Sequence, residues 1–136
     1  MIVSPFRISD LMQIELQPAQ RNVLNGFEVN TRIYENTFTA RVDGRIIAIA
    51  GVMRAERDVG LVWALISRHA GRHFWALHRA AERLFEVAGF ARLIALTEVN
   101  FFAGCRWLEL LKFTRDEEPL LGADGEVRLV YTRAMQ

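Results

Sequence analysis

"VGLVWALISRHAGRHFWALHRAAERLFEVAGFARLIALTEV", residues 59–99, is the stretch on which the fold turns. It opens with an almost unbroken apolar run, "VGLVWALIS" (59–67), and passes through a basic joint containing Gly71. Phe74, Leu77, His78, Ala81, Leu84, Phe85 and Ala88 then recur at three- and four-residue steps, while Arg79, Glu82, Arg83 and Glu86 take the other side. That spacing predicts an amphipathic helix of about four turns, stopped at Gly89. "ARLIALTEV" (91–99) returns as an apolar strand. A strand, a helix and a second strand in this order predict a crossover that lays the second strand parallel to a neighbour.

Working outward, "TFTARVDGRIIAIAGVM" (37–53) alternates before Asp43-Gly44 and is nearly continuous in apolar residues after it. Asp-Gly supplies the positive φ angles of a tight turn, so this is a hairpin. The run at 59–67 follows the charged segment "RAERD" as a third antiparallel strand. Upstream, "SDLMQIELQPAQRNVLNG" (9–26) offers Ser9 or Asp10 as a helix cap, Pro18 as the restart of a second short helix, and Asn25-Gly26 as its stop. Downstream come a second helix over about 101–112, a short strand in "FTRDEE", a loop in "PLLGADGE" and a last alternating strand in "VRLVYTR". The order is helices, three strands, helix, strand, helix, two strands. This is an α/β (α+β) chain with a mixed, mostly antiparallel sheet flanked by helices.

The 136 residues show no repeat, low-complexity tract or linker, so 1–136 reads as a single domain. With 51% hydrophobic and 24% charged residues, the composition is globular. A formal charge of +1 gives no overall field to attract nucleic acid or an anionic membrane, although 68–83 is locally basic. Cys105 is the one cysteine, which excludes an internal disulfide and suits a reducing compartment. Its helical spacing reads as a buried small residue rather than a nucleophile. Neither a membrane-spanning run nor a signal-like start is present, and the expected location is the cytoplasm.

The joint is where chemistry is expected. A glycine and several cationic side chains at a helix start bring together free amides, the positive end of the peptide dipole and mobile charge, which suits phosphate. Gly71 would let the main chain approach a ligand, and Arg68 and Arg72 would neutralise it. The plainer reading is that Gly71 separates strand from helix and the arginines are solvated. His69 and His73 lie four apart but have no acidic partner nearby to complete a metal set, so no metal is expected. His78 falls on the inward side of its helix and reads as a satisfied core or boundary residue.

The element order resembles the GNAT (GCN5-related N-acetyltransferase) fold. That resemblance implies a splay between the fourth and fifth strands, here "VGLVWALIS" and "ARLIALTEV", in which acyl-coenzyme A lies. The family's pyrophosphate loop places Arg or Gln, two residues, Gly, one residue, then Gly or Ala. This sequence has Arg68-His69-Ala70-Gly71-Arg72-His73, which keeps the arginine and first glycine but ends in histidine. "EVNFFAGCRWLELLKF" (98–113) resembles the family's helix after the fifth strand, with Asn100 and Ala103 at the family's spacing. "CRWLELLKF" and the opening "FRISD" are similar to small GNAT-like internal virion proteins of podovirus-type phages.

The resemblance implies acetyl-coenzyme A or another acyl-coenzyme A as cosubstrate. Leu65 and Ile66 would offer main-chain groups to the pantetheine, Arg68, Gly71, Arg72 and His73 would receive the pyrophosphate, and Asn100 would steady the arm. The amine acceptor would enter beside "NGFEVNTRIYEN" (25–36), where Tyr34 and Glu35 lie. Many family members use a tyrosine on the helix after the fifth strand as acid; Trp107 or Leu108 stands there instead. Glu98 is the nearest candidate base and His69 the next. Two readings stay open: an acyl-coenzyme A-dependent N-acyltransferase acting by direct attack, and a catalytically inactive GNAT-like protein of a phage particle or its assembly. Trp75, beside the exposed side of its helix, is the candidate for a homodimer or other assembly interface.

Overall fold

The computed structural model describes residues 1–20 and 36–135. It opens with a strand that the sequence pattern does not announce, β1 (Ile2–Pro5), antiparallel to β2 (Thr37–Val42). The expected N-terminal helices are two 3-10 turns, Ile8–Met12 and Pro18–Gln20. Neither Ser9 nor Asp10 caps the first. Arg7 holds the cap position, and Asp10, three residues on, accepts the Arg7 backbone N–H at 3.0 Å. Asp10 is drawn inward because Thr39 donates its hydroxyl at 2.7 Å and Arg41 its guanidinium at 2.6 Å to the same buried carboxylate. Pro18 does open the second turn; its proposed end at Gly26 lies outside the described residues.

β2 and β3 (Arg45–Glu56) form the hairpin, with φ of 50° at Asp43 and 80° at Gly44 as the tight turn requires. β3 runs through most of the charged "RAERD" segment before turning into β4 (Val59–Ile66), its antiparallel partner. A 3-10 turn, Gly71–His73, leads into α1 (Phe74–Ala88), which ends at Gly89 in the left-handed conformation with φ 72°. β5 (Arg92–Glu98) returns parallel to β4, as the crossover predicts. α2 (Phe102–Leu110), β6 (Thr114–Arg115), β7 (Leu120–Leu121) and β8 (Val127–Ala134) complete the chain. β7 falls in the stretch expected to be loop, where its two exposed residues pair with β8. The result is an eight-stranded mixed sheet, mostly antiparallel, in the order β1-β2-β3-β4-β5-β8-β6 with β7 also on β8.

The N-terminal turns pack Phe6 and Ile14 against Ile46, Ile49 and Leu65. A second cluster packs Leu77 of α1 against Ala40, Ile47, Ala48 and Ile66. The largest gathers Phe85, Phe90, Leu93, Ala95, Leu129 and Tyr131, with Cys105, Trp107 and Leu108 of α2 packed against it. Removing a side chain such as Leu93 or Phe85 from water contributes roughly 1.5–3 kcal/mol. Gly60 is required here, since a Cβ would stand 2.5 Å from Val52 Cγ1 and 2.6 Å from the Phe90 ring. Arg133 of β8 then fixes both helices at once. Its guanidinium pairs with Glu82 of α1 at 3.1 and 3.3 Å, donates to the Leu111 carbonyl at 2.9 Å, and lies over the Phe85 ring.

Candidate active site

The parallel ladder between β4 and β5 ends early. Register partners run from Val59 with Arg92 to Val62 with Ala95, and beyond them Trp63–Ile66 and Leu96–Glu98 have no pairing with each other. The strands splay into a cavity of about 310 Å³, lined by Trp63, Ala64, Ile66, Thr97, Glu98, Phe101 and Trp107 among others. On the β5 side, buried Phe101 turns the chain into α2, lying so close over Gly104 that a Cβ there would be 2.7 Å from its ring.

The chain's own N-terminal segment lies along the far half of β4. Arg68 donates its N–H to the Glu15 carbonyl at 2.9 Å, Leu16 bridges Ser67, and Gln17 donates its N–H to the Ile66 carbonyl at 3.0 Å. Gln20 completes the run through its side chain: Nε2 donates to the Ala64 carbonyl at 2.8 Å, and Oε1 accepts the Ile66 N–H at 2.7 Å. Sequence reasoning missed Gln20, and no local pattern could have shown a contact spanning 44 to 46 residues. Of the two positions expected to offer main-chain groups, Leu65 pairs with Ile49 of β3, and Ile66 is engaged by Gln17 and Gln20.

The basic joint borders a second cavity, about 560 Å³, lined by Arg45, Arg68, His69, Gly71, Arg72 and His73 together with Asp43 of the hairpin. Within the joint, His69 donates its N–H to Ser67 Oγ, Ala70 to the Ser67 carbonyl, His73 to the Ala70 carbonyl and Phe74 to the Gly71 carbonyl. The Gly71 and Arg72 N–H groups have no acceptor among the described residues. A Cβ on Gly71 would meet nothing within 4 Å, so its main chain faces open space. Arg68 is committed elsewhere, pairing with Glu15 at 3.0 Å, while His69 Nε2 meets the same carboxylate at 3.1 Å. The His69 hydrogen bond, followed by the Arg68 charge, holds the Glu15 carboxyl below its ordinary value.

The two candidate catalytic groups line different cavities, Glu98 the splay and His69 the basic one. Asn100 is exposed in the turn before α2. Trp107 is tied to α1, donating its indole N–H to His78 Nδ1 at 3.3 Å and packing against Phe74 at 5.7 Å between ring centroids. An indole N–H only donates, so His78 Nδ1 is the acceptor of this bond. The only described tyrosine, Tyr131, is buried against Cys105; desolvation first and the Cys105 hydrogen bond second push its phenol up to about 12. Such a phenol is a poor proton donor to a thiolate. Tyr34 and Glu35 lie outside the described residues. Trp75 is 63% exposed.

Among the described residues, no helix is long and apolar enough to cross a membrane. Neither a protein-family model nor a curated protein matches the sequence. Solved structures do match in fold. Ard1 from Thermoplasma volcanium superposes with a TM-score of 0.72 at 12% identity, over 99% of this chain and 97% of that one. A GNAT-family acetyltransferase from Bacillus anthracis gives 0.69 at 12% identity, over 97% and 93%. An aminoglycoside acetyltransferase in complex with coenzyme A and kanamycin gives 0.56 at 16% identity, over 74% and 66%. The fold is that of the GNAT acetyltransferases, and the splay expected between the fourth and fifth strands is present.

Proposed function

We propose that the protein binds an acyl-coenzyme A, with the acyl arm in the splay between β4 and β5 and the pyrophosphate at the joint, and transfers the acyl group to an amine. The early end of the β4–β5 ladder carries this reading, because it opens a largely apolar cleft on a strand edge next to an anion-suited turn. The Gly71 and Arg72 amides, backed by the Arg72 and His73 side chains, suit the pyrophosphate, and Arg68 at the rim joins them on exchanging its Glu15 partner for the anion. Leu65 and Ile66 bound the arm, and Asn100 steadies it from the β5 side. In the transfer step the amine nitrogen attacks the thioester carbonyl carbon and the C–S bond breaks on collapse. Glu98, or a water beside it, takes the amine proton, and water protonates the departing thiolate. His69, in the other cavity, is the weaker candidate for the base. Positioning supplies most of the acceleration in such a site.

A second reading is a GNAT-fold protein that has lost the transfer step, as the resemblance to virion proteins implies. It is favoured by Trp107 standing where the family's tyrosine is expected, tied to His78. Titration calorimetry with acetyl-coenzyme A tests the first reading. Binding should weaken roughly tenfold in Arg72→Glu, and absence of heat at millimolar ligand would end it. Binding without turnover across a panel of amines selects the second.

A further inference from the structure

Ala64 C=O and Ile66 N–H, two residues apart on the open edge of β4, are satisfied by one side chain. A primary amide sets a donor beside an acceptor, as the main chain of an adjacent strand would. Gln20 thus completes β4 over the stretch where β5 has left it. The contact is well formed: both bonds are shorter than 3 Å, and Gln20 is 5% exposed. Its own N–H donates to the Gln17 carbonyl at 2.9 Å, and Gln17 is held on Ile66, so the turn is anchored independently of the side-chain contact.

We infer that Gln20 is a built-in competitor for the open edge of β4, and that an amide-bearing arm pairs there only after this side chain swings out. The inference rests on the coenzyme reading for the identity of the arm, since the pantetheine of coenzyme A carries secondary amides in series. The same carbonyl and N–H cannot pair fully with both. Entry exchanges one set of hydrogen bonds for an equivalent set, so Gln20 leaves the cleft usable while lowering apparent affinity by the fraction of molecules in which the edge is free.

The test uses the full chain as wild type, Gln20→Ala and Gln20→Asn, the last retaining the amide but one methylene too short to span both groups. Two quantities are read: hydrogen exchange at the Ile66 amide, and Kd for acetyl-coenzyme A by calorimetry. Exchange at Ile66 should quicken in both variants, and Kd should fall about tenfold in Gln20→Ala, with Gln20→Asn moving in the same direction. Unchanged exchange at Ile66 would overturn the contact itself. Quickened exchange with Kd unchanged or raised in both variants would overturn the competition while leaving the coenzyme reading intact. Failure of all three proteins to bind would overturn both.

Discussion

β4 and β5 behave as two different structures along their length. From Val59 to Val62 they form a parallel ladder over a packed apolar core, with Leu93 fully buried and Gly60 hollowed to admit Phe90 and Val52. From Trp63 onward the same strands part, and β4 is completed by residues 15–20 instead of β5. The first half holds the sheet together and the second leaves an open cleft. One strand pair can do both because main-chain hydrogen bonding requires a partner, not a particular partner.

The comparison can be broken most directly at Leu93. Leu93→Ala should destabilise by roughly 2–5 kcal/mol, whereas Leu96→Ala, on the same strand beyond the last pair, should cost about 1 kcal/mol; urea unfolding of both would show it. Equal losses would mean that the splayed half is as structural as the zipped one.

A smaller effect is expected at Asp10, which anchors the start of the segment that covers β4. Burial alone would raise its pKa, but hydrogen bonds from Thr39 and the Arg7 N–H, and the Arg41 charge, outweigh it and hold the carboxyl below its ordinary value. A lowered folded-state pKa gives stability that is fully present above the unfolded value, about 3.9, and lost as pH falls through the folded one. Asp10→Asn should therefore cost roughly 1–3 kcal/mol near pH 7, with the gap to wild type closing as both are unfolded at progressively lower pH in the acid range. A gap that stays constant would show that the charge is not what matters.

The smallest change sharpens the wall of the cleft. Lys112 sits at the end of α2 with φ 69°, donating its N–H to the Glu109 carbonyl while Phe113 donates to the Leu108 carbonyl. That double bond pattern ends a helix best with glycine. Lys112→Gly should add about 1 kcal/mol, read as a raised Tm with unchanged acetyl-coenzyme A affinity.

Much of this was legible in the sequence wherever local chemistry decides the outcome. Asp43-Gly44, the helix ending at Gly89 and the parallel return of β5 all follow from residues within one or two elements of each other. β1 was not legible, because a four-residue edge strand with Ile2 exposed and Pro5 at its end carries no alternation. The N-terminal turns read as helices because Ser9, Asp10 and Pro18 are residue types that begin them, yet Asp10 is held inward by Thr39 and Arg41 from another element. The basic joint was visible as residues; that Arg68 and His69 both turn to Glu15 was not, since that carboxylate comes from 53 to 54 residues away. The pairing of Trp107 with His78 was likewise invisible, although the helical spacing already placed His78 inward.

Arg133 sets a limit on how this molecule can breathe. By gripping Glu82, the Leu111 carbonyl and the face of Phe85 together, it rivets α1 to the chain leaving α2. α2, which lines the cleft through Gly104, Trp107 and Leu108, therefore moves with α1 as one stiff jaw, and any widening falls to the opposite lip, where Gln20 of the second N-terminal turn stands. Breathing concentrated at that lip would make the second N-terminal turn the place where the width of the cleft is set.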